Sequence, residues 1–136
     1  MTEIDNDVDA DVVSTWRELS ARHAAIVSDL ERELQDHHDL GVSEFEVLDR
    51  LVEGVCLSPG GKFRVQELAA GVSLSQSALS RLIARLEKSG FVVRSMCADD
   101  RRGVFVNLTD AGRVRHSEAL PTQRRVLRAH LGTTPA

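Results

Sequence analysis

Gln76, Ser77, Ser80, Arg81, Ala84, Arg85 and Lys88 share one face of a helical pattern whose other face is Leu79, Leu82, Ile83 and Leu86. Short hydrogen-bonding side chains at the start, with cations further along, suit a helix lying in a DNA major groove. Glutamine and serine read base edges, arginine forms paired bonds to guanine, and Arg85 and Lys88 reach phosphates. The same residue types also occupy ordinary solvated faces. A second cluster settles the balance. Ala98-Asp99-Asp100-Arg101-Arg102-Gly103 sets two adjacent arginines at the tip of a hairpin pattern, where they suit the enhanced negative potential of a narrow minor groove. Asp100 can steady one guanidinium by paired hydrogen bonds. Arg94, on the strand entering that hairpin, joins the same DNA-facing set.

Weaker constellations lie elsewhere. His23 interrupts an apolar stripe near Trp16; together they suggest a wall for an aromatic or anionic ligand, against the plainer role of packing between helices. His37, His38 and His116, with Glu33 or Asp36, would suit a metal if the last helix crosses the end of the first, but their spacing matches no recognised ligand pattern. Cys56 and Cys97 raise thiol sensing, since Arg101 and Arg102 would favour a Cys97 thiolate. The alternative is that both are tolerated small residues.

The elements that must position these groups follow from periodicity. Val12, Trp16, Leu19, His23, Ile26, Leu30 and Leu34 mark one face of a long helix over about residues 8 to 38, longer than a small core needs and suited to an arm toward a second subunit. A turn at 39–42 precedes a capping box at Ser43 and Glu46 and a second helix to about Glu53. Ser58-Pro59-Gly60-Gly61 is a loop. A short helix from Val65 to Ala70 and a longer one capped by Ser75 and stopped by Gly90 make a helix-turn-helix. Strands are expected at 91–94 and 104–108 around the polar segment Ser95 to Gly103. Thr109 caps a last helix, about 110 to 131, bent or interrupted at Pro121. The fold class is mainly α with a small β-hairpin wing: a winged helix-turn-helix over 43–108, flanked by long helices at 8–38 and 110–131, all one domain across 1–136.

The 136 residues carry 17 Lys+Arg against 21 Asp+Glu, a net charge of -4, which argues against nucleic acid until it is divided. Residues 1–60 hold 15 acidic and 4 basic side chains; residues 61–136 hold 6 and 13. Positive charge therefore accompanies the helix-turn-helix and hairpin, while the acidic arm keeps DNA from the opposite face. Two cysteines without a paired motif, an acidic N-terminus and no apolar run of membrane-spanning length point to a cytoplasmic protein without membrane partners. No phosphate loop, nucleophile elbow or convergent carboxylate pair suggests an enzyme, and no cofactor is implied.

The run from Leu74 to Gly90, then Asp100-Arg101-Arg102-Gly103-Val104 and Val106-Asn107-Leu108-Thr109-Asp110-Ala111-Gly112, resembles the multiple-antibiotic-resistance regulator (MarR) family of bacterial transcription factors. The likeness reaches upstream to Trp16-Arg17 and to the stretch from Gly41 to Leu48. It implies a homodimer whose first and last helices interlock, with two winged helices on a pseudo-palindromic DNA operator. It also implies that the helix over Ser75–Ser89 enters the major groove and Arg102 the minor groove. Many members are repressors released by small phenolic or other aromatic effectors bound between the dimer region and the DNA-binding lobe. Members usually carry further helical sequence after the matching last helix, where this chain has Gly132 to Ala136, so a smaller or rearranged dimer interface is expected, with Leu120, Val126, Leu127 and Leu131 pairing with the Val12 to Leu34 stripe. The expected function is a ligand-responsive dimeric repressor. The alternatives are a redox or metal sensor on the same scaffold, and a winged-helix module that binds protein instead of DNA.

Overall fold

A computed structural model of the chain describes residues 6–57, 63–64, 71–72, 74–96 and 104–132. In order these form α1 (Asn6–His38), α2 (Val42–Leu57), β1 (Phe63–Arg64), α3 (Gln76–Lys88), β2 (Val92–Met96), β3 (Val104–Leu108) and α4 (Asp110–Leu131). The expected short helix at Val65 to Ala70 lies outside the described residues, and so does the hairpin tip.

α1 spans 33 residues, roughly 50 Å at 1.5 Å per residue. It ends where Asp39 turns left-handed (φ 53) and its amide bonds the Gln35 carbonyl at 3.2 Å, an αL termination carried by aspartate instead of glycine. α2 starts two residues earlier than the capping box at Ser43 and Glu46 requires. The Gly41 amide donates to Glu44 Oε1 at 2.9 Å and the Val42 amide to Glu31 Oε1 at 3.3 Å, so the free donors are met by Glu44 and by a carboxylate from α1. The helix also runs past Glu53 to Leu57.

α4 runs antiparallel along α1. Arg125 Nη2 donates to Glu33 Oε1 (3.0 Å), His130 Nε2 lies 2.6 Å from Asp29 Oδ2, and Arg22 Nη2 donates to the His130 carbonyl (2.9 Å). Thr109 caps α4 by accepting from the Gly112 amide, and the helix continues through Pro121 without interruption.

The sheet has order β1-β3-β2, antiparallel throughout, with Val92 opposite Leu108 and Met96 opposite Val104. β2 reaches two residues beyond the expected Arg94, and the two-residue β1 adds a third strand through Phe63 opposite Val106. One apolar core joins these layers: Leu30 and Leu34 from α1, Phe45, Leu48 and Leu51 from α2, Leu79, Ile83 and Leu86 from α3, Val92 and Val106 from the sheet, and Val126 from α4.

The α1 stripe divides. Ile26, Leu30 and Leu34 pack against this chain's own core, with Val126, Leu120 and Leu127 beside them. Val12, Trp16 and Leu19 are 61%, 66% and 59% exposed, and Leu131 at the end of α4 is 53% exposed.

Candidate nucleic-acid interface

α3 owes its orientation to its own sequence. Ser75 sits in extended backbone (φ -66, ψ 157) and its hydroxyl accepts from the Ala78 amide at 3.2 Å, which fixes where the helix starts. Leu79, Leu82, Ile83 and Leu86 are buried, which leaves Gln76, Ser77, Ser80, Arg81, Ala84, Arg85 and Lys88 exposed, as the periodicity predicts. The helix stops in a Schellman motif. Gly90 is left-handed (φ 84), its amide bonds the Glu87 carbonyl at 3.0 Å, and the Phe91 amide bonds the Leu86 carbonyl at 2.9 Å.

The exposed face is electrostatically open. Among the described residues, Arg81, Arg85 and Lys88 have no hydrogen-bond or ion-pair partner. Most other arginines do: Arg22, Arg32, Arg50, Arg94, Arg115, Arg124 and Arg125 each hold a carboxylate, a carbonyl or an amide oxygen of this chain. Glu87, the one acid in α3, turns away onto Arg94. The Arg94 guanidinium donates to Glu87 Oε1 at 3.1–3.2 Å, and its backbone amide donates to Glu87 Oε2 at 3.2 Å. These bonds hold the Glu87 carboxyl below its ordinary range, the backbone amide contributing most. Arg94, expected from sequence among the DNA-facing groups, is thus engaged within the fold: it ties the end of α3 to β2 and cancels the one charge that would repel phosphate.

The wing root is held as firmly. Thr109 Oγ1 donates to the Gly90 carbonyl (2.6 Å), and the Thr109 amide donates to the Phe91 carbonyl (3.0 Å). Gly112 packs so closely on this turn that a Cβ would stand 2.1 Å from the Phe91 oxygen. β3 therefore passes into α4 directly against the end of α3. Asp100, Arg101, Arg102 and Cys97 fall outside the described residues, and the Cys56 side chain does too.

Other sequence candidates are dispersed. His116 points into the core, its Nε2 2.7 Å from Asp49 Oδ1 and its ring stacked on Phe45 at 5.3 Å. His38 Nε2 meets Thr122 Oγ1 at 2.7 Å, and His37 is exposed. Burial, with the neighbouring His37 second, holds the His38 imidazole below its ordinary pKa. The three histidines thus take separate partners instead of converging. His23 lines an open depression of about 700 Å³ along α1 with Ala24, Val27, Ser28 and Glu31; Trp16 stands further along the helix, exposed and away from that lining. The His116–Asp49 pair is the main internal contact that sequence reasoning missed. Its partners are 67 residues apart and neither carries a local signal.

The profile of the MarR family matches residues 55–104. Among solved structures, the fold is similar to Sco3205 of Streptomyces coelicolor, a MarR family regulator determined in complex with DNA. That match has 31% identity and a TM-score of 0.82, covering 93% of this chain and 78% of that one. It is also similar to AbsC, a MarR family regulator from the same organism, at 31% identity and a TM-score of 0.77, covering 87% of this chain and 76% of that one. A curated relative, the uncharacterized HTH-type transcriptional regulator YfiV of Bacillus subtilis, is 38% identical over 72 residues, which are 53% of this chain. The match spans 41% of YfiV, and 60% of a second B. subtilis regulator, YkoM.

Proposed function

The chain belongs to the MarR family, and from that membership we propose that it is a sequence-specific DNA-binding transcriptional regulator, working as a homodimer in the cytoplasm. The observation that carries the reading is the α3 face. Seven exposed positions include three cations left without partners among the described residues, while the helix's one acid is neutralised from behind by Arg94. In this reading Gln76, Ser77, Ser80 and Arg81 address base edges, and Arg85 and Lys88 address phosphates. Asp100, Arg101 and Arg102 complete the site from the wing. Arg94 supports it from within.

The exposed apolar half of α1 supports the dimer. Val8, Val12, Val13, Trp16 and Leu19 are 40–66% exposed along one arm, an apolar surface of the kind that marks a protein–protein contact. Two such arms packing together would set two α3 helices at a fixed separation, near one turn of DNA, about 34–36 Å. An effector that changes that separation would weaken both half-sites together. Trp16 and His23, on this arm, are the proposed contacts for a small aromatic effector, and release of repression is the proposed outcome. The experiment is selection of duplexes from a randomised pool by the full chain. Recovery of a two-fold symmetric motif supports the reading, and recovery of no motif opposes it.

A further inference from the structure

Arg115, on the second turn of α4, touches both the end of α1 and the turn that closes α3. Its Nη1 donates to the His38 carbonyl at 2.5 Å, the last carbonyl of α1, at the end of a helix where acceptors lack intrahelical donors and the dipole is negative. Its guanidinium carbon lies 4.9 Å from the centroid of the Phe91 ring. Phe91 is no incidental neighbour: its amide closes the Schellman motif of α3 on Leu86, and its carbonyl receives the Thr109 amide. One side chain therefore joins the end of the arm helix to the cap of the DNA-facing helix. His38 strengthens the same joint, its imidazole on Thr122 one helical stretch further along α4.

We infer that Arg115 is a positioning residue for DNA recognition, pinning the C-terminal end of α1 to the Phe91 cap of α3 so that the two helices move as one body. The inference rests on the DNA-binding reading for its consequence and on geometry alone for the joint. A shift of α1 along α4 must either carry the α3 cap with it or break the Arg115 contacts. Among the described residues no hydrogen bond or ion pair links α3 directly to α1, so losing the pin frees its orientation without unfolding its core.

The test uses the full chain with Arg115→Met, which keeps the apolar stem, Arg115→Lys, which keeps the charge and a donor for the His38 carbonyl, and Phe91→Leu, which keeps bulk but removes the ring. The DNA probes are a duplex enriched by the wild type from a random pool and a scrambled duplex of equal length. Arg115→Met and Phe91→Leu are expected to weaken binding to the enriched duplex roughly tenfold, within the range of measured couplings between sites. Affinity for the scrambled duplex should change less than about twofold, and Arg115→Lys should fall between. In parallel, amide hydrogen exchange without DNA should quicken at Asp39, Leu40, Gly90 and Phe91 in Arg115→Met, with the slowest core amides unchanged. Equal loss on both duplexes with uniformly faster exchange would show a merely structural residue and overturn the proposal, as would unchanged exchange at those four amides. If the wild type enriches no duplex while the localised exchange effect appears, the pin stands and the DNA reading falls.

Discussion

His116 Nε2 lies 2.7 Å from Asp49 Oδ1 with 7% and 11% of the two side chains exposed, so α4 is joined to α2 by a hydrogen bond shielded from water. Arg124 Nη2 approaches the same carboxylate at 3.5 Å, and Phe45 covers the imidazole face. Removing one partner leaves the other buried and unsatisfied. Asp49→Ala is therefore expected to lower unfolding stability by about 1–3 kcal/mol in a urea titration, and Asp49→Asn, which retains an acceptor, by less. An Asp49→Ala curve that overlays the wild type would show that the pair contributes nothing.

Gly112→Ala should destabilise, against intrinsic helix propensity. Alanine is about 1 kcal/mol better than glycine in a helix interior. Here the new Cβ would stand 2.1 Å from the Phe91 oxygen and 2.9 Å from its carbon, both backbone, so the start of α4 must pull away from the α3 cap. A loss of about 2 kcal/mol or more is expected in thermal unfolding. A variant with a raised Tm would refute the close approach.

Stability should fall in acid through two surface carboxylates. Hydrogen bonds from Arg94 hold Glu87 below its ordinary 4.5, and the bond to His130 holds Asp29 below its ordinary 3.8. A folded-state pKa below the unfolded one means the unfolded chain binds more protons in that window. The stabilisation is thus present above the ordinary values and is lost as pH falls through the depressed ones. Glu87→Gln and Asp29→Asn should each flatten the decline in Tm below about pH 4.5, where the unfolded carboxyls begin to protonate. Wild-type slopes in both variants would contradict the assignment.

Much of this was legible in sequence where the signal is local. The buried stripe of α3, its Ser75 cap and Gly90 stop, Thr109, and the exposed face from Gln76 to Lys88 all follow from spacing within one helix. Pairings across elements were not. Arg94 reads as a free cation because nothing in a strand announces that Glu87, seven residues earlier on a helix, closes back on it. Gly41-x-x-Glu44 and Ser43-x-x-Glu46 share one spacing, and the choice fell to Gly41 because Glu31 of α1 takes the next amide. β1 is two residues long, too short for alternation to register. The α1 stripe is continuous in sequence, yet its halves differ because α4 covers only the part from Arg22 onward.

That uncovered part predicts its own experiment. Trp16→Ala combined with Leu19→Ala should shift the sedimentation profile from dimer toward monomer at micromolar concentration, with helix content by circular dichroism nearly unchanged, since neither side chain is packed within the chain. Unchanged sedimentation would place the self-association surface elsewhere.

If the exposed face of α3 grips DNA, a salt titration of binding to the selected duplex reads it directly. The wild type should lose affinity linearly in log–log form, and Lys88→Ala and Arg85→Ala should each reduce the slope by about one while preserving the preferred sequence. Gln76→Ala or Arg81→Ala should instead relax that preference. Salt slopes and preferences identical to wild type in all four variants would mean that DNA does not lie on this face of α3.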